Sequence, residues 1–243
     1  MAMWRYPRRL LWRYSRWTSV MKQIALYIHI PFCIKKCAYC DFNSGDDLEL
    51  IPEYIRALGR ELESFKPLGY AAKTIYIGGG TPTLLGEEEL VAIIEGIYSN
   101  FKIVPGAEFT VEANPGTLTR KKLETLKVVG VNRMSIGLQA YQDRLLKALG
   151  RIHSVKEFED NYLLCREIGF DNINVDVMFG LPLQGTLDFE ATIESLSKLL
   201  PEHISCYALS IEEGTHFYRL HRRGHLLLPS EDDERTMYHD AIG

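Results

Sequence analysis

Cysteine is scarce in this chain: five residues in 243. The odd count and the length argue against a disulfide framework. No apolar run approaches the roughly 20 residues a membrane-spanning helix needs, so an integral membrane protein is not expected. Around its glycine triplet, Gly78-Gly79-Gly80, the chain lacks the G-x-G-x-x-G and G-x4-G-K-[ST] patterns, so neither a dinucleotide site nor a P-loop is read there. Tryptophan is absent after residue 17. Trp4, Trp12 and Trp17 all fall in the first twenty residues, which carry five arginines and no acid. Outside that stretch 23 basic residues stand against 32 acidic ones, a net charge of −9. A body that acidic argues against nucleic acid as the main partner.

Residues 1–20 also lack the apolar centre of a secretory signal. Met21-Lys22-Gln23 directly precedes the first strand pattern and reads as the natural start. The segment is expected to be a basic, disordered extension or the product of a mis-called start. A mitochondrial transit peptide is the alternative; otherwise the expected location is cytoplasmic, since free thiols suit a reducing compartment.

Three of the five cysteines are crowded into Cys33-Ile-Lys-Lys-Cys37-Ala-Tyr-Cys40. Steps of four and three put the sulfurs on one side of a helical turn or compact loop. A cubane iron–sulfur cluster takes thiolate ligands and usually four of them. Three would leave one iron open to another ligand. Zinc is the competing reading, though it favours four ligands in closely spaced pairs. Cys165 and Cys206 sit alone in hydrophobic stretches, where a free cysteine behaves as a small core residue.

Strand patterns at 24–30, 74–78, 108–113, 133–138, 172–178 and 203–211 alternate with amphipathic helix patterns at about 50–65, 86–100, 119–129, 155–168, 187–200 and 230–241. Thr119 and Ser154 stand at helix starts, with Glu157 completing a capping box; Gly130 and Gly169 stand just past helix ends. Unbroken βα alternation implies a parallel sheet with right-handed crossovers. The expected fold class is α/β: a partial (β/α)6 TIM-like barrel, with an open doubly wound sheet as the alternative.

In such folds the chemistry sits at the carboxyl ends of the strands. The glycine triplet with Thr81, then Glu112, Gln139 and Asp176, fall at four successive strand ends. Each has a plain structural explanation. A glycine run can be a turn, a buried carboxylate is often bonded to backbone, and His29 can be a satisfied interior histidine. Their recurrence at strand end after strand end is what points to a ligand.

Here the sequence resembles the radical S-adenosylmethionine (SAM) proteins, and more narrowly the family of oxygen-independent coproporphyrinogen III oxidases and haem chaperones. The matching stretches are Leu-Tyr-Ile-His-Ile-Pro-Phe-Cys at 26–33, Cys-Ala-Tyr-Cys at 37–40, Gly-Gly-Gly-Thr-Pro-Thr at 78–83, Val-Glu-Ala-Asn-Pro at 111–115, Ser-Ile-Gly-Leu-Gln at 135–139, Leu-Gly-Arg at 149–151 and Asp-Val-Met-Phe-Gly-Leu-Pro at 176–182. The likeness covers about 21–243, the expected radical SAM core. It implies a [4Fe–4S] cluster on Cys33, Cys37 and Cys40, with SAM on the fourth iron, and reduction of SAM to a 5′-deoxyadenosyl radical. It further implies Tyr27 and Tyr39 beside cluster and SAM, and Gly79, Gly80 and Thr81 along the methionine end. Glu112 matches the ribose ligand. Gln139, Arg151 and Asp176 match further SAM contacts, Arg151 pairing with the SAM carboxylate, and Ser210 lies toward the adenine.

Two branches of the family differ in what they do with this core. The oxidase branch has a further cysteine where this chain has Phe42, and an N-terminal region that residues 1–20 do not match. Cys40-Asp41-Phe42 and Glu212-Glu213-Gly214-Thr215 resemble the chaperone branch, which implies haem as ligand and a haem-requiring, membrane-bound recipient enzyme as partner. Oxidation of coproporphyrinogen III is the alternative activity, and a plain iron–sulfur electron carrier the second alternative. The resemblance also implies a C-terminal domain with a His-Asn-x-x-Tyr-Trp motif. No His-Asn pair occurs here, so the chain is expected to be a fragment, with haem binding belonging to the full-length family.

Overall fold

The computed structural model describes residues 22–242. The expected extension at 1–20 lies outside the described residues. Six strands, β1 (Gln23–Ile30), β2 (Ala71–Gly79), β3 (Lys102–Ala113), β4 (Arg133–Gln139), β5 (Ile173–Phe179) and β6 (His203–Ala208), form one sheet in sequential order. Every neighbouring pair is parallel. A doubly wound sheet reverses its strand order partway. This order never reverses, so the partial-barrel expectation holds and the doubly wound alternative falls.

Helices follow the strands: α1 (Ile51–Ser64), α2 (Glu87–Asn100), α3 (Arg120–Val128), α4 (Asp143–Leu149), α5 (Val155–Ile168), α6 (Thr186–Leu199), α7 (His216–Arg222) and α8 (Glu231–Ile242). Local chemistry fixes several ends. The Ser154 hydroxyl accepts from the Glu157 amide, and the Glu157 carboxylate accepts from the Ser154 amide at 2.8 Å, the expected capping box. Thr119 caps α3 through the Lys122 amide. Gly169, with φ +93°, ends α5 in the left-handed conformation that costs glycine nothing.

Strand periodicity of two sorts the residues. Ile28, Ile30, Ile75, Ile77, Phe109, Val111, Met134, Ile136, Ile173, Val175 and Val177 are buried on the outer face. There they meet the apolar stripes of α2 (Leu90, Ile93, Ile94, Ile97), α3 (Leu123, Leu126), α5 (Phe158, Tyr162) and α6 (Phe189, Leu196) in one continuous core. The alternate positions, including Tyr76, Glu112, Ser135 and Asp176, face inward. A barrel's hydrophobic core thus lies between sheet and helices, leaving the inner face free for polar groups.

Three departures from the sequence expectations have physical causes. β3 begins at Lys102, because Pro105 and Gly106 interrupt its strand pattern. The sheet absorbs them in a register irregularity: Ala72 pairs with Ile103 and Thr74 with Glu108. β6 ends at Ala208, so Ser210 stands in the loop beyond it. Helices α4 and α7 are additional, each seven residues long and too short for periodicity to reveal.

Candidate functional site

The segment after β1 leaves the sheet and returns past it. Gly45 donates its amide to Pro31 at 2.9 Å, and Cys33 donates to Gly45 at 2.9 Å, closing the loop at its base. Its far side is pinned from both directions: Ala38 donates to the last residue of α4, Leu149, at 2.9 Å, and accepts from Phe217 of α7 at 2.9 Å. Around these bonds Leu145, Leu146, Leu149, Met178, Leu181 and Phe217 form a second buried cluster, against which Ala38 and Tyr39 pack. The two short helices therefore carry the cysteine loop.

Cys33, Cys37 and Cys40 all line a cavity of about 340 Å³ at the carboxyl ends of the strands. The same cavity is lined by Tyr39, Gly79, Gly80, Thr81, Glu112, Gln139, Arg151, Asp176 and Ser210. Of the residues singled out in the sequence, Tyr27 stays outside. It is 56% exposed and stacks at 5.9 Å on Tyr76, which takes the wall position.

Glu112 accepts from the Tyr76 hydroxyl at 2.6 Å and from the Gly79 amide at 2.9 Å. Burial pushes its carboxyl above the usual carboxylate range. The two hydrogen bonds pull it back, and the charge of Asp176 raises it further. Burial likewise raises Asp176, against hydrogen bonds from Asn174, Ser135 and Ser205. Two carboxylates thus face one cavity with their solvation only partly replaced. A ligand offering hydroxyl or cationic groups would complete it.

Arg151 donates through one terminal nitrogen to Asn114 and to the Gly137 carbonyl, both at 2.6 Å. Its other terminal nitrogen lies 3.7 Å from the Cys37 sulfur. Asn114 donates to Thr81 at 2.8 Å, and the Thr81 hydroxyl lies 3.7 Å from the Cys33 sulfur. A continuous polar chain, Cys37–Arg151–Asn114–Thr81–Cys33, therefore joins two of the three thiols. Burial is the main cause raising the Cys40 thiol, with the neighbouring thiols adding to it and Lys36 opposing it.

Two of these participants were not marked as site residues from the sequence. Asn114 lies inside the matched stretch 111–115, so the signal was there, but not its role as a bridge. Tyr76 is one aromatic in a strand, and nothing in its spacing distinguishes it from a core residue.

The glycine triplet is a cradle. A side-chain β-carbon at Gly80 would fall 2.5 Å from the Phe32 carbonyl and 3.0 Å from the Cys33 sulfur. At Gly79, where φ is +117°, it would meet the His29 ring at 2.6 Å. Bare backbone is what lets β2 run close under the cysteine loop. The Nε of Arg151 is buried without a hydrogen-bond partner. Three thiols bordering one cavity would suit a cubane, where each thiolate binds a different iron.

A model of the Radical SAM superfamily matches residues 27–196. The haem chaperone HemW of Bacillus subtilis (strain 168) is 44% identical over 218 residues, 87% of this chain and 57% of that protein. The HemW of Escherichia coli (strain K12) is 38% identical over 200 residues, 80% of this chain and 52% of that one. The chain thus spans a little over half the length of these curated relatives. Among solved structures, coproporphyrinogen III oxidase (HemN) from Escherichia coli, described as a radical SAM enzyme, superposes with a TM-score of 0.82 at 26% identity, covering 91% of this chain and 52% of that chain. Elp3 of Methanocaldococcus infernus shares the fold alone, at 15% identity and a TM-score of 0.64. With 170 of its residues matched by the family model, and its cysteine loop set at the strand ends of a partial parallel barrel, the chain belongs to the Radical SAM superfamily.

Proposed function

We propose that this chain is the radical SAM core of a haem chaperone of the HemW type. In this reading Cys33, Cys37 and Cys40 hold a [4Fe–4S] cluster, and SAM lies in the cavity they border. When bound, cluster and SAM together supply one-electron reductive chemistry that no side chain can. The chain's own residues bind and orient. Arg151, with its unpartnered Nε and its fork already anchored on Asn114 and Gly137, suits a carboxylate. Glu112, held by Tyr76 and Gly79, presents acceptor lone pairs suited to ribose hydroxyls. Gly79, Gly80 and Thr81 supply backbone polar groups along the same wall, and Tyr39 packs beside the thiols. Gln139, Asp176 and Ser210 complete the cavity wall.

The observation that carries this reading is the gathering of all three thiols with Glu112, Arg151 and Asp176 around one cavity. The choice of chaperone over oxidase rests on identity of 34–44% to several proteins named haem chaperone HemW, against 26% to the oxidase. It rests also on position 42. Phe42 lines the cavity and is 61% exposed, where the resemblance gives the oxidase branch another cysteine. Haem is then the cargo, and a haem-requiring enzyme the recipient.

The test uses the full-length gene product, reconstituted anaerobically. It is incubated with haem and an apo-haem protein as acceptor, and separately with coproporphyrinogen III, SAM and reductant. The chaperone reading expects haem transfer and no decarboxylated porphyrin by chromatography. Accumulation of protoporphyrinogen IX would overturn it in favour of the oxidase.

A further inference from the structure

Lys122 lies in the first turn of α3 and is only 8% exposed. A lysine there is costly. Burial strips the ammonium of water, and the amino end of a helix disfavours a cation. No carboxylate pairs with it among the described residues. Burial lowers its amine below the ordinary lysine range, while Glu87 and Glu89 of α2 draw it back. The compensation comes from backbone oxygens. Lys122 Nζ donates to the Thr83 carbonyl at 2.5 Å and to the Thr117 carbonyl at 3.2 Å. Thr83 lies in the connection after β2 and Thr117 in the one after β3. The same two connections are joined by their hydroxyls. The Thr117 hydroxyl donates to the Asn114 carbonyl at 2.6 Å, which uses its single hydrogen, so the Thr83 hydroxyl is the donor in the 2.6 Å bond between the two. Lys122, Thr83 and Thr117 do not line the cavity. Thr81 and Asn114, on the same two connections, do.

We propose that Lys122 is a positioning residue for the carboxylate end of SAM, tying together the two connections that bring Thr81 and Asn114 to Arg151. The inference rests on the cluster and SAM reading above. Asn114 donates to Thr81 at 2.8 Å and accepts from Arg151 at 2.6 Å. All three residues lie outside helix and strand, where backbone is the more mobile part of a fold. An ammonium carried on a helix and bonded to a carbonyl in each connection removes their freedom to move apart. Stability of α3 does not require it, since Leu123 and Leu126 are already fully buried in the core. An apolar residue at 122 would leave both carbonyls without this donor and let Asn114 drift from Thr81 and Arg151. The ribose end of the site stands on other bonds: Glu112 is held by Tyr76 and Gly79. Loss of the Lys122 clasp is therefore selective. It weakens the grip on the amino acid end of SAM and spares the adenosine end.

The test compares two ligands. SAM carries the amino acid end; 5′-methylthioadenosine keeps the adenosine and sulfur but lacks it. Each is titrated by calorimetry into the anaerobically reconstituted chain, left unreduced so that SAM is not cleaved, and iron content is measured alongside. Lys122→Met keeps the side-chain length and removes the ammonium. Thr83→Val keeps the shape and cuts the hydroxyl link without touching α3. Leu126→Ala, one turn further along α3, controls for loss of helix stability. Lys122→Met is expected to lose about tenfold or more in SAM affinity, and Thr83→Val to lose less. Both keep wild-type affinity for methylthioadenosine and wild-type iron content. Leu126→Ala lowers the thermal midpoint and leaves both affinities unchanged. Wild-type SAM affinity in Lys122→Met and Thr83→Val would overturn the inference. So would equal losses for the two ligands, or the same selective loss in Leu126→Ala, either of which makes Lys122 a residue of general stability. Should Lys122→Met fail to fold, Thr83→Val decides alone. A wild-type chain that holds iron and binds no SAM would overturn the SAM reading and this inference with it.

Discussion

Asn114 sits between the two halves of the site. One amide accepts from Arg151 and donates to Thr81, and through them it reaches Cys37 and Cys33. Removing it frees a guanidinium that has no other side-chain oxygen to hold it among the described residues. Hydrogen bonds to charged groups contribute about 1.5–3 kcal/mol, so Asn114→Ala is expected to weaken SAM binding roughly tenfold or more while iron content stays near wild type. Titrating SAM against the reduced cluster by EPR measures both. A second expectation concerns Asp176. Its folded-state value is raised, so between the unfolded value of about 3.9 and the folded one the native chain binds more protons, and stability falls as pH rises through that window. The cost is complete above the folded value and absent below the unfolded one. Asp176→Asn therefore raises the thermal midpoint of the ligand-free chain at pH 7, and the gain disappears near pH 3. A gain that is the same at both pH values would assign the effect to packing. At this scale the sequence was most informative about chemistry and least about partnership. Three cysteines and a run of strand-end polar residues can be read from spacing. That Tyr76 rather than Tyr27 forms the wall cannot, because both face inward on adjacent strands and only the curl of the sheet separates them.

The elements that matter most for the loop are the two that periodicity could not mark. Helices α4 and α7 are seven residues each, about two turns. Two turns are too few for a 3.6-residue repeat to stand out, and isolated helices of that length are marginal. They persist because Leu149 and Phe217 are buried together under the cysteine loop. Phe217→Ala is expected to cost about 3–5 kcal/mol in chemical unfolding and to loosen Ala38, which accepts the Phe217 amide. The specific signature is faster loss of iron to a chelator under conditions where the fold remains intact. A destabilising change in the main core on α2, Ile97→Ala, should leave the rate of iron loss near wild type. The longer helices were legible because their stripes, caps and terminal glycines agree. β3 was legible only from Glu108 onward, since Pro105 and Gly106 belong to no strand pattern and are accommodated only by pairing with β2.

At the scale of the whole molecule, sequential strand order was readable from βα alternation, and its consequence is an open barrel. Among the described strands β1 pairs only with β2, and β6 only with β5. β6 is half-exposed, and its own Tyr207 is 54% accessible. Unpaired parallel edges with apolar neighbours invite association. Residues 22–242 expressed alone are therefore expected to elute from size exclusion as a mixture of species larger than monomer, shifting with concentration. A single monomer peak at all concentrations would show that the edges are shielded. How the remaining length of the relatives relates to these edges is not a matter of periodicity and was not legible. On the proposed reading, three thiols at the mouth of this barrel hold a cluster with one iron open to SAM. The most direct measurement is EPR of the anaerobically reconstituted, reduced chain with and without SAM, beside its iron content. The account predicts about four irons per chain, a signal that changes on adding SAM, and loss of both in Cys33→Ala, Cys37→Ala or Cys40→Ala. One zinc and no iron, or a cluster signal indifferent to SAM, would contradict it.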